Sequence, residues 1–245
     1  MSVWLALETS GDLAGLALRD ARGAVQLATV DGPRKHAGAV LPLAVQLLAP
    51  CGGLAALAGL VIADGPGSFT GLRVAAAVAK ALHLARGTPV RVGSALAARA
   101  VRLAPVGGGR VLVATNALRA EAYAGVFEIG PSGVSVVLPA RTVPLSRLAE
   151  LADGCDRLVL DLPPALQQTA FGPEVPTARD PVRIGPPDAG PTAEGLLTLL
   201  DLPGGTIGLT DVAAWEPEYG RPVEAQTRWE ETHGRPLPHP LRTRG

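Results

Sequence analysis

The apolar segment LAGLVIA, residues 57–63, restricts the folds open to this chain more than any other part of its sequence. It shows none of the apolar–polar alternation of a strand with one solvated face, so we expect a central strand buried on both faces. A glycine-rich turn and an alanine-rich run follow it, and we predict a helix over residues 70–86. Together these features predict an α/β fold, with mixed sheets flanked by helices.

Short apolar runs on both sides of this strand predict the other elements. Three runs near the start are separated by tight turns, which predicts an antiparallel meander, and a second meander is predicted after the stretch APVGGG. The predicted strands are 3–8, 13–20, 24–30, 57–63, 88–93, 110–117, 121–130 and 134–140, and the predicted helices are 36–49, 70–86 and 94–104, with one more in PPDAGPTAEGLLTLL.

The order of these elements suits a duplicated ribonuclease-H-like unit, the architecture of the actin, sugar-kinase and chaperone ATPase superfamily. We therefore expect two actin-like (ASKHA) subdomains, over residues 1–104 and 105–221. Residues 222–245 are predicted to form a partly disordered tail, and packing of this tail on the first subdomain is left open. The step is an analogy of topology and by itself indicates no function.

Charge and cysteine content exclude several functional classes. The chain has 22 basic and 22 acidic residues, so its zero net charge makes no global case for direct nucleic-acid binding. Two cysteines supply neither a disulfide framework nor a metal cluster and favour the reducing cytoplasm. No signal peptide is predicted. The uncharged run 37–63 is interrupted by Pro42, Pro50 and two glycines, which favours a helix, a turn and a strand over a membrane span.

The turn DGPGSFTGLR, residues 64–73, raises the question of a phosphate site. It matches neither the P-loop nor the dinucleotide GxGxxG pattern. A helix dipole contributes only about 0.3–1 kcal/mol to holding an anion, whereas millimolar binding needs about 4 kcal/mol. We therefore favour a tight turn that packs strand against helix, with Ser68 or Thr70 capping the helix and Gly87 ending it. The residues of this motif loop are Gly65, Pro66, Gly67, Ser68, Phe69, Thr70 and Gly71.

An enzymatic alternative rests on Glu8, Thr9 and Ser10 at the end of the first predicted strand. In the kinase-like superfamily an acid and a hydroxyl at this place contact metal and phosphate, so these residues with the glycine loop could form a nucleotide site. A turn with a hydroxyl cap is the simpler interpretation. The four histidines form no pair at helical metal-binding spacing, and GxSxG is absent, so we expect neither a metal site nor a peptidase.

With these motifs assembled, the chain resembles the bacterial TsaB (YeaZ) family, which takes part in making threonylcarbamoyladenosine on tRNA. The resemblance covers about residues 1–221, and its most specific motif is GPGSFTGLR. The supporting motifs are ALETS at 6–10, KHAGAVLP at 35–42, NALRAEAY at 116–123 and EPEYGR at 216–221.

The resemblance implies a non-catalytic relative of TsaD that needs no cofactor. TsaD binds nucleotide and metal with a histidine pair, where this sequence has Ala95 and Arg99. Glu8, Asn116 and Leu118 also depart from the family's usual residues. The implied role is a scaffold that pairs with TsaD and, with the ATPase TsaE, supports threonylcarbamoyl transfer to the adenosine beside the anticodon, so that tRNA is an indirect partner.

The resemblance places partner binding on the first subdomain's helices, and a homodimer is left open. Whether the alanine-rich helix turns a free face to a partner is also open, because it is apolar all round. We expect Ala76→Arg or Ala79→Glu to prevent complex formation without unfolding the chain. The hypothetical partner-binding residues are His36, Leu41, Leu72, Arg73, Ala76, Ala79, Lys80 and His83.

Overall fold

The computed structural model describes residues 2–32, 36–172, 182–186, 188, 190–220, 232 and 234. The predicted tail therefore lies outside the described residues, apart from 232 and 234. The strands are β1 Val3–Glu8, β2 Leu13–Arg19, β3 Val25–Asp31, β4 Leu57–Gly65, β5 Val90–Ser94, β6 Gly109–Asn116, β7 Glu121–Gly130, β8 Gly133–Pro144, β9 Arg157–Asp161, β10 Val182–Ile184 and β11 Ile207–Gly208. The α-helices are α1 His36–Leu48, α2 Phe69–Arg86, α3 Ala95–Leu103, α4 Leu148–Leu151, α5 Pro164–Phe171 and α6 Ala193–Asp201.

The first sheet has the strand order β11-β5-β4-β1-β2-β3. The meander β1–β2–β3 is antiparallel, whereas β4 runs parallel to both of its neighbours, β1 and β5. Residues 60–63 of β4 are completely buried, which confirms the central strand predicted from LAGLVIA. The uncharged run 37–63 divides into α1, two short 3-10 turns and β4, and Pro42 lies inside α1. Within the described residues no helix is long and apolar enough to span a membrane.

The second sheet has the order β10-β9-β6-β7-β8 and contains the second predicted meander. Helices α3 and α6 lie between the two sheets, where one continuous apolar core joins side chains of both. Helices α1 and α2 pack on the outer face of the first sheet, and α4 and α5 belong to the core of the second. The α/β class with mixed sheets flanked by helices is therefore confirmed.

Late segments of the chain return to the first sheet. Helix α6 packs on β1 and β2, and β11 pairs with β5, although both lie within the predicted second subdomain. The predicted boundaries at residues 104 and 221 stay a prediction.

Helix α2 begins and ends at residues that the sequence marks. The hydroxyl of Ser68 accepts a hydrogen bond from the Gly71 amide at 3.3 Å, so Ser68 and not Thr70 is the cap. Gly87 ends the helix with a φ of 68°, in the left-handed region that favours glycine. The helix starts at Phe69, one residue before its predicted start.

The glycine loop before α2 rests directly on the backbone at the end of β1. The Ser68 amide donates to the Ser10 carbonyl at 2.7 Å, and the Thr9 hydroxyl donates to the Gly71 carbonyl at 2.7 Å. A Cβ atom at Gly67 would overlap the Ser10 carbonyl oxygen, and one at Gly71 would overlap that of Thr9. Glycine is therefore needed here because two backbone segments touch.

We predict opposite effects for two glycine-to-alanine changes in helices. Gly71→Ala should lower the free energy of unfolding by about 1–3 kcal/mol, because its methyl group meets backbone that cannot move cheaply. A Cβ atom added at Gly38 in α1 would have no neighbouring atom within 4 Å. Gly38→Ala should therefore raise the free energy of unfolding by up to about 1 kcal/mol. Urea unfolding followed by circular dichroism measures both. Equal shifts in the two variants would contradict the packing role of Gly71.

Candidate functional site

A groove of about 570 Å³ runs between α1 and α2 on the outer surface of the first sheet's helical layer. Its lining is almost entirely apolar, and Arg73 is the charged residue among the lining side chains. The lining residues are Ala37, Leu41, Phe69, Thr70, Arg73, Val74, Ala77, Val78 and Ala81.

Helix α2 has two apolar faces, and only one of them packs on the sheet. The buried face consists of Gly71, Leu72, Ala75, Ala76, Ala79 and Leu82. The other face, with Ala77 and Ala81 one turn apart, is exposed along the groove. On α1, Leu41 and Val45 are 44% and 45% exposed. An uncovered apolar strip of this kind is typical of a surface that binds another protein.

The structure corrects part of the predicted partner-binding set. Leu72, Ala76 and Ala79 lie on the buried face of α2, so they cannot contact a partner. Ala79→Glu would bury a charge against the sheet, so we now expect this variant to destabilise the chain. Leu41 and Arg73 line the groove, and their role in binding stays a prediction.

Three further predicted residues lie in different surroundings. The ring Nδ1 of His83 is 3.0 Å from the Thr88 carbonyl, so this side chain is engaged near the end of α2, away from the groove. The side chain of His36 lies outside the described part of the structure. Lys80 is half-buried beside the groove and is paired with an acid from the far end of the chain.

That acid belongs to a cluster at the rim of the groove. The Lys80 ammonium donates to Glu216 Oε1 at 2.8 Å, and the Tyr219 hydroxyl donates to Oε2 at 3.1 Å. The Tyr219 ring lies 4.5 Å from the Phe69 ring, centroid to centroid. The Arg73 guanidinium lies 5.3 Å from the Phe69 centroid, an attractive cation–π distance.

At neutral pH the ionised Glu216 and the protonated Tyr219 are in the states that favour the hydrogen bond between them. Burial would raise the pKa of Glu216, but the hydrogen bond and charge of Lys80, with help from Tyr219, outweigh burial and lower it. Burial and then the bond to Glu216 raise the pKa of Tyr219 to about 12. The carboxylate is thus ionised and the phenol protonated, which is the state that their hydrogen bond requires. Among the described residues Arg73 forms no hydrogen bond or ion pair, and it lines the groove beside Phe69.

Hydrogen bonds connect the segment 216–220, which carries part of this rim, to a strand in each sheet. The Glu218 amide donates to the Asp64 carbonyl at 2.7 Å, and the Thr142 hydroxyl on β8 donates to the Gly220 carbonyl at 2.9 Å. A Cβ atom at Gly65 would overlap the Glu218 carbonyl oxygen. Two sequence motifs noted separately, 65–73 and 216–220, therefore meet in space. Sequence reasoning missed Glu216 and Tyr219 as rim residues, although both lie in the EPEYGR motif.

The alternative nucleotide residues are turned into the molecule. Glu8 and Thr9 are completely buried and Ser10 is 5% exposed. Glu8 Oε1 accepts from the Ser10 amide at 2.8 Å, and the Thr9 hydroxyl is bonded to Gly71. These side chains are therefore not open to a ligand in this structure. Within the described residues no group of three or more His, Cys, Asp or Glu side chains could hold a metal ion.

The motif NALRAEAY forms a strained turn between β6 and β7. Leu118, Arg119 and Ala120 have φ angles of 64°, 53° and 58°, which non-glycine residues rarely adopt. The Asn116 side chain accepts from the Leu118 amide at 2.9 Å and so supports the turn. This interaction gives Asn116 a local structural role.

Comparison with known proteins identifies relatives of this arrangement. The family model for TsaD, tRNA N6-adenosine threonylcarbamoyltransferase, matches residues 31–168, or 138 of 245 residues. The matched region contains α1, the glycine loop and α2. The tRNA threonylcarbamoyladenosine biosynthesis protein TsaB of Bacillus subtilis is 28% identical over 159 residues, 64% of this chain and 69% of that protein.

Two solved structures from Pseudomonas aeruginosa share the fold. One, described as an uncharacterized protein with similarity to peptidase YeaZ, has a TM-score of 0.69 and 29% identity and covers 90% of this chain and all of its own. The other, YeaZ, has a TM-score of 0.66 and 29% identity and covers 82% of this chain and 91% of its own. The TsaD family model spans more than half of the chain, and the relatives of the chain carry the TsaB and YeaZ names. The chain therefore belongs to the TsaD family and, within it, to the TsaB (YeaZ) group.

Proposed function

We propose that this chain is a non-catalytic subunit that binds TsaD, with TsaE joining the complex, and so supports threonylcarbamoyl transfer to the adenosine beside the anticodon of tRNAs that read codons beginning with A. As a TsaB-group protein the chain has a role in tRNA threonylcarbamoyladenosine biosynthesis. The observation that carries the finer proposal is the apolar groove between α1 and α2.

The groove suits a helix from another protein. Ala77 and Ala81 are small, so a partner helix can approach the α2 backbone closely, while Leu41 offers a larger apolar contact from α1. Burying such a surface releases water from apolar groups, at about 25 cal/mol per Å². A stable pair would bury on the order of 1,200–2,000 Å² in total, more than the groove alone, so the rim should also take part.

The interior of the chain supports the non-catalytic part of the proposal. Glu8, Thr9 and Ser10 are buried, and the Thr9 hydroxyl and one Glu8 carboxylate oxygen are hydrogen-bonded within the fold. Ala95 and Arg99, at the positions that the resemblance aligns with the histidine pair of TsaD, are both buried between the sheets. A cytoplasmic location stays a prediction.

A charge placed in the groove tests partner binding directly. Ala77→Glu should weaken binding to TsaD by about 100-fold or more, because the carboxylate would be buried against apolar groups without a partner. Ala77 is exposed in the free chain, so the thermal midpoint should stay nearly unchanged. Isothermal titration with purified TsaD measures the affinity.

Ala165→Glu is the matched control, since Ala165 is an exposed helical alanine on α5, away from the groove. It should bind TsaD normally. Normal binding by Ala77→Glu, or equal loss in both variants, would refute the groove as the binding surface. Light scattering on the same two variants tests the homodimer, because a dimer formed through the groove should dissociate only in Ala77→Glu.

Nucleotide titration separates the scaffold from the enzymatic alternative. We expect the isolated chain to show no saturable binding of ATP with Mg²⁺ up to millimolar concentration, because Glu8 and Ser10 are buried within the fold. TsaD serves as the positive control in the same calorimeter. Saturable binding to the isolated chain below about 1 mM, an affinity near 4 kcal/mol, would favour a kinase-like or carbamoyltransferase-like enzyme.

A further inference from the structure

The guanidinium of Arg99 is enclosed between the two sheets. Arg99 lies on α3 and is only 1% exposed, in a run of six buried residues from Ala95 to Ala100. Arginine is almost never fully buried without an opposite charge, because moving a charge out of water is costly. The surroundings of Arg99 must therefore compensate its charge.

Two carboxylates, one at the end of a strand in each sheet, face this guanidinium. Glu8 Oε2, at the end of β1, is 3.8 Å from Nη1, and Asp161 Oδ2, at the end of β9, is 3.8 Å from Nη2. Nη1 also donates to the Ala95 carbonyl on its own helix at 3.3 Å. Arg99 is thus placed to connect the first sheet with the second.

Charge, more than hydrogen bonding, holds this cluster. A separation of 3.8 Å is too long for a hydrogen bond. Glu8 Oε2 and Arg99 Nε are buried without a hydrogen-bond partner among the described residues. Glu8 is itself completely buried, so its charge depends on the nearby cation.

We propose that Arg99 is an ionic latch, a resident cation that binds the buried carboxylate of Glu8 and joins the two sheets. The end of β1 also supports the start of α2 through Thr9 and Ser10. The latch therefore holds the segment on which the glycine loop rests.

Glu8 is the principal counter-ion of the latch. Asp161 is less buried, and burial raises its pKa, while Arg99 lowers it and the charge of Asp12 raises it further. Because the Asp161 side chain is 29% exposed and the Glu8 side chain is 0% exposed, Asp161 depends less on Arg99 than Glu8 does. Asp161→Asn should accordingly change the unfolding equilibrium much less than Glu8→Gln.

A double-mutant cycle tests the latch in the full chain. Arg99→Met and Glu8→Gln should each raise the unfolding equilibrium constant by about 100-fold or more at pH 7, as breaking a buried pair from one side does. The double variant should be at least tenfold more stable than the product of the two effects. Additive effects would overturn the proposal. Urea unfolding monitored by circular dichroism supplies the constants.

The pH dependence of Arg99→Met gives a second readout. Without the cation, an ionised Glu8 would be buried beside no opposite charge, which is costly. The variant should therefore be more stable near pH 5 than near pH 7. Adding Glu8→Gln should remove this difference. An Arg99→Met variant with the pH profile of the unmodified chain, or one that folds at neither pH 5 nor pH 7, would overturn the latch.

Arg157→Met is the matched control. Arg157 also ties α3 to the second sheet, but it donates to the Leu103 and Ala104 carbonyls, at 2.7 and 3.2 Å, and to no carboxylate among the described residues. Arg157→Met should destabilise the chain, but its stability should not fall further between pH 5 and pH 7. Its effect should also be additive with that of Glu8→Gln. Coupling of Arg157 to Glu8 as strong as that of Arg99 would contradict the assignment.

Discussion

The close contact between the glycine loop and the end of β1 is the constraint on which the rest of the structure depends. Gly67 and Gly71 bring the loop against the carbonyls of Ser10 and Thr9, and two hydrogen bonds at 2.7 Å hold it there. Because the loop cannot move away, α2 starts at a fixed point over the first sheet. The position of α2 then sets one wall of the groove, and the segment 216–220 packs over the same loop.

An open nucleotide cleft would expose polar side chains to its ligand. This chain instead buries the polar side chains at the end of β1 and exposes an apolar groove. The carboxylate of Glu8 and the hydroxyls of Thr9 and Ser10 at the end of β1 are buried, with Arg99 as the neighbouring cation. The uncovered surface is an apolar groove between α1 and α2, and Arg73 is the charged residue that lines it. Such a distribution favours association with another protein over small-molecule chemistry, which agrees with the scaffold role proposed for this TsaB-group chain.

Small side chains serve α2 in two ways. On its inner face Ala75, Ala76 and Ala79 let the helix lie close to the sheet, and on its outer face Ala77 and Ala81 leave a shallow channel beside α1. Larger residues outside would fill the groove, and larger residues inside would push the helix away from the loop. The rim residues Phe69 and Tyr219 contact one another beside this channel, with their rings tilted by 46°.

Sequence alone determined the local elements and the family. An unbroken apolar run predicted β4 as a central strand, Ser68 or Thr70 and Gly87 were predicted to bound α2, and GPGSFTGLR carried the resemblance. These signals are local, since propensity, capping and spacing act within a few residues. Only the tertiary structure decided which face of α2 is free, because alanine on all sides carries no helical periodicity. Long-range packing likewise returned α6 and β11 to the first sheet, joined Glu216 to Lys80 and enclosed Arg99 beside Glu8, since such contacts depend on which surfaces meet and leave no pattern along the chain.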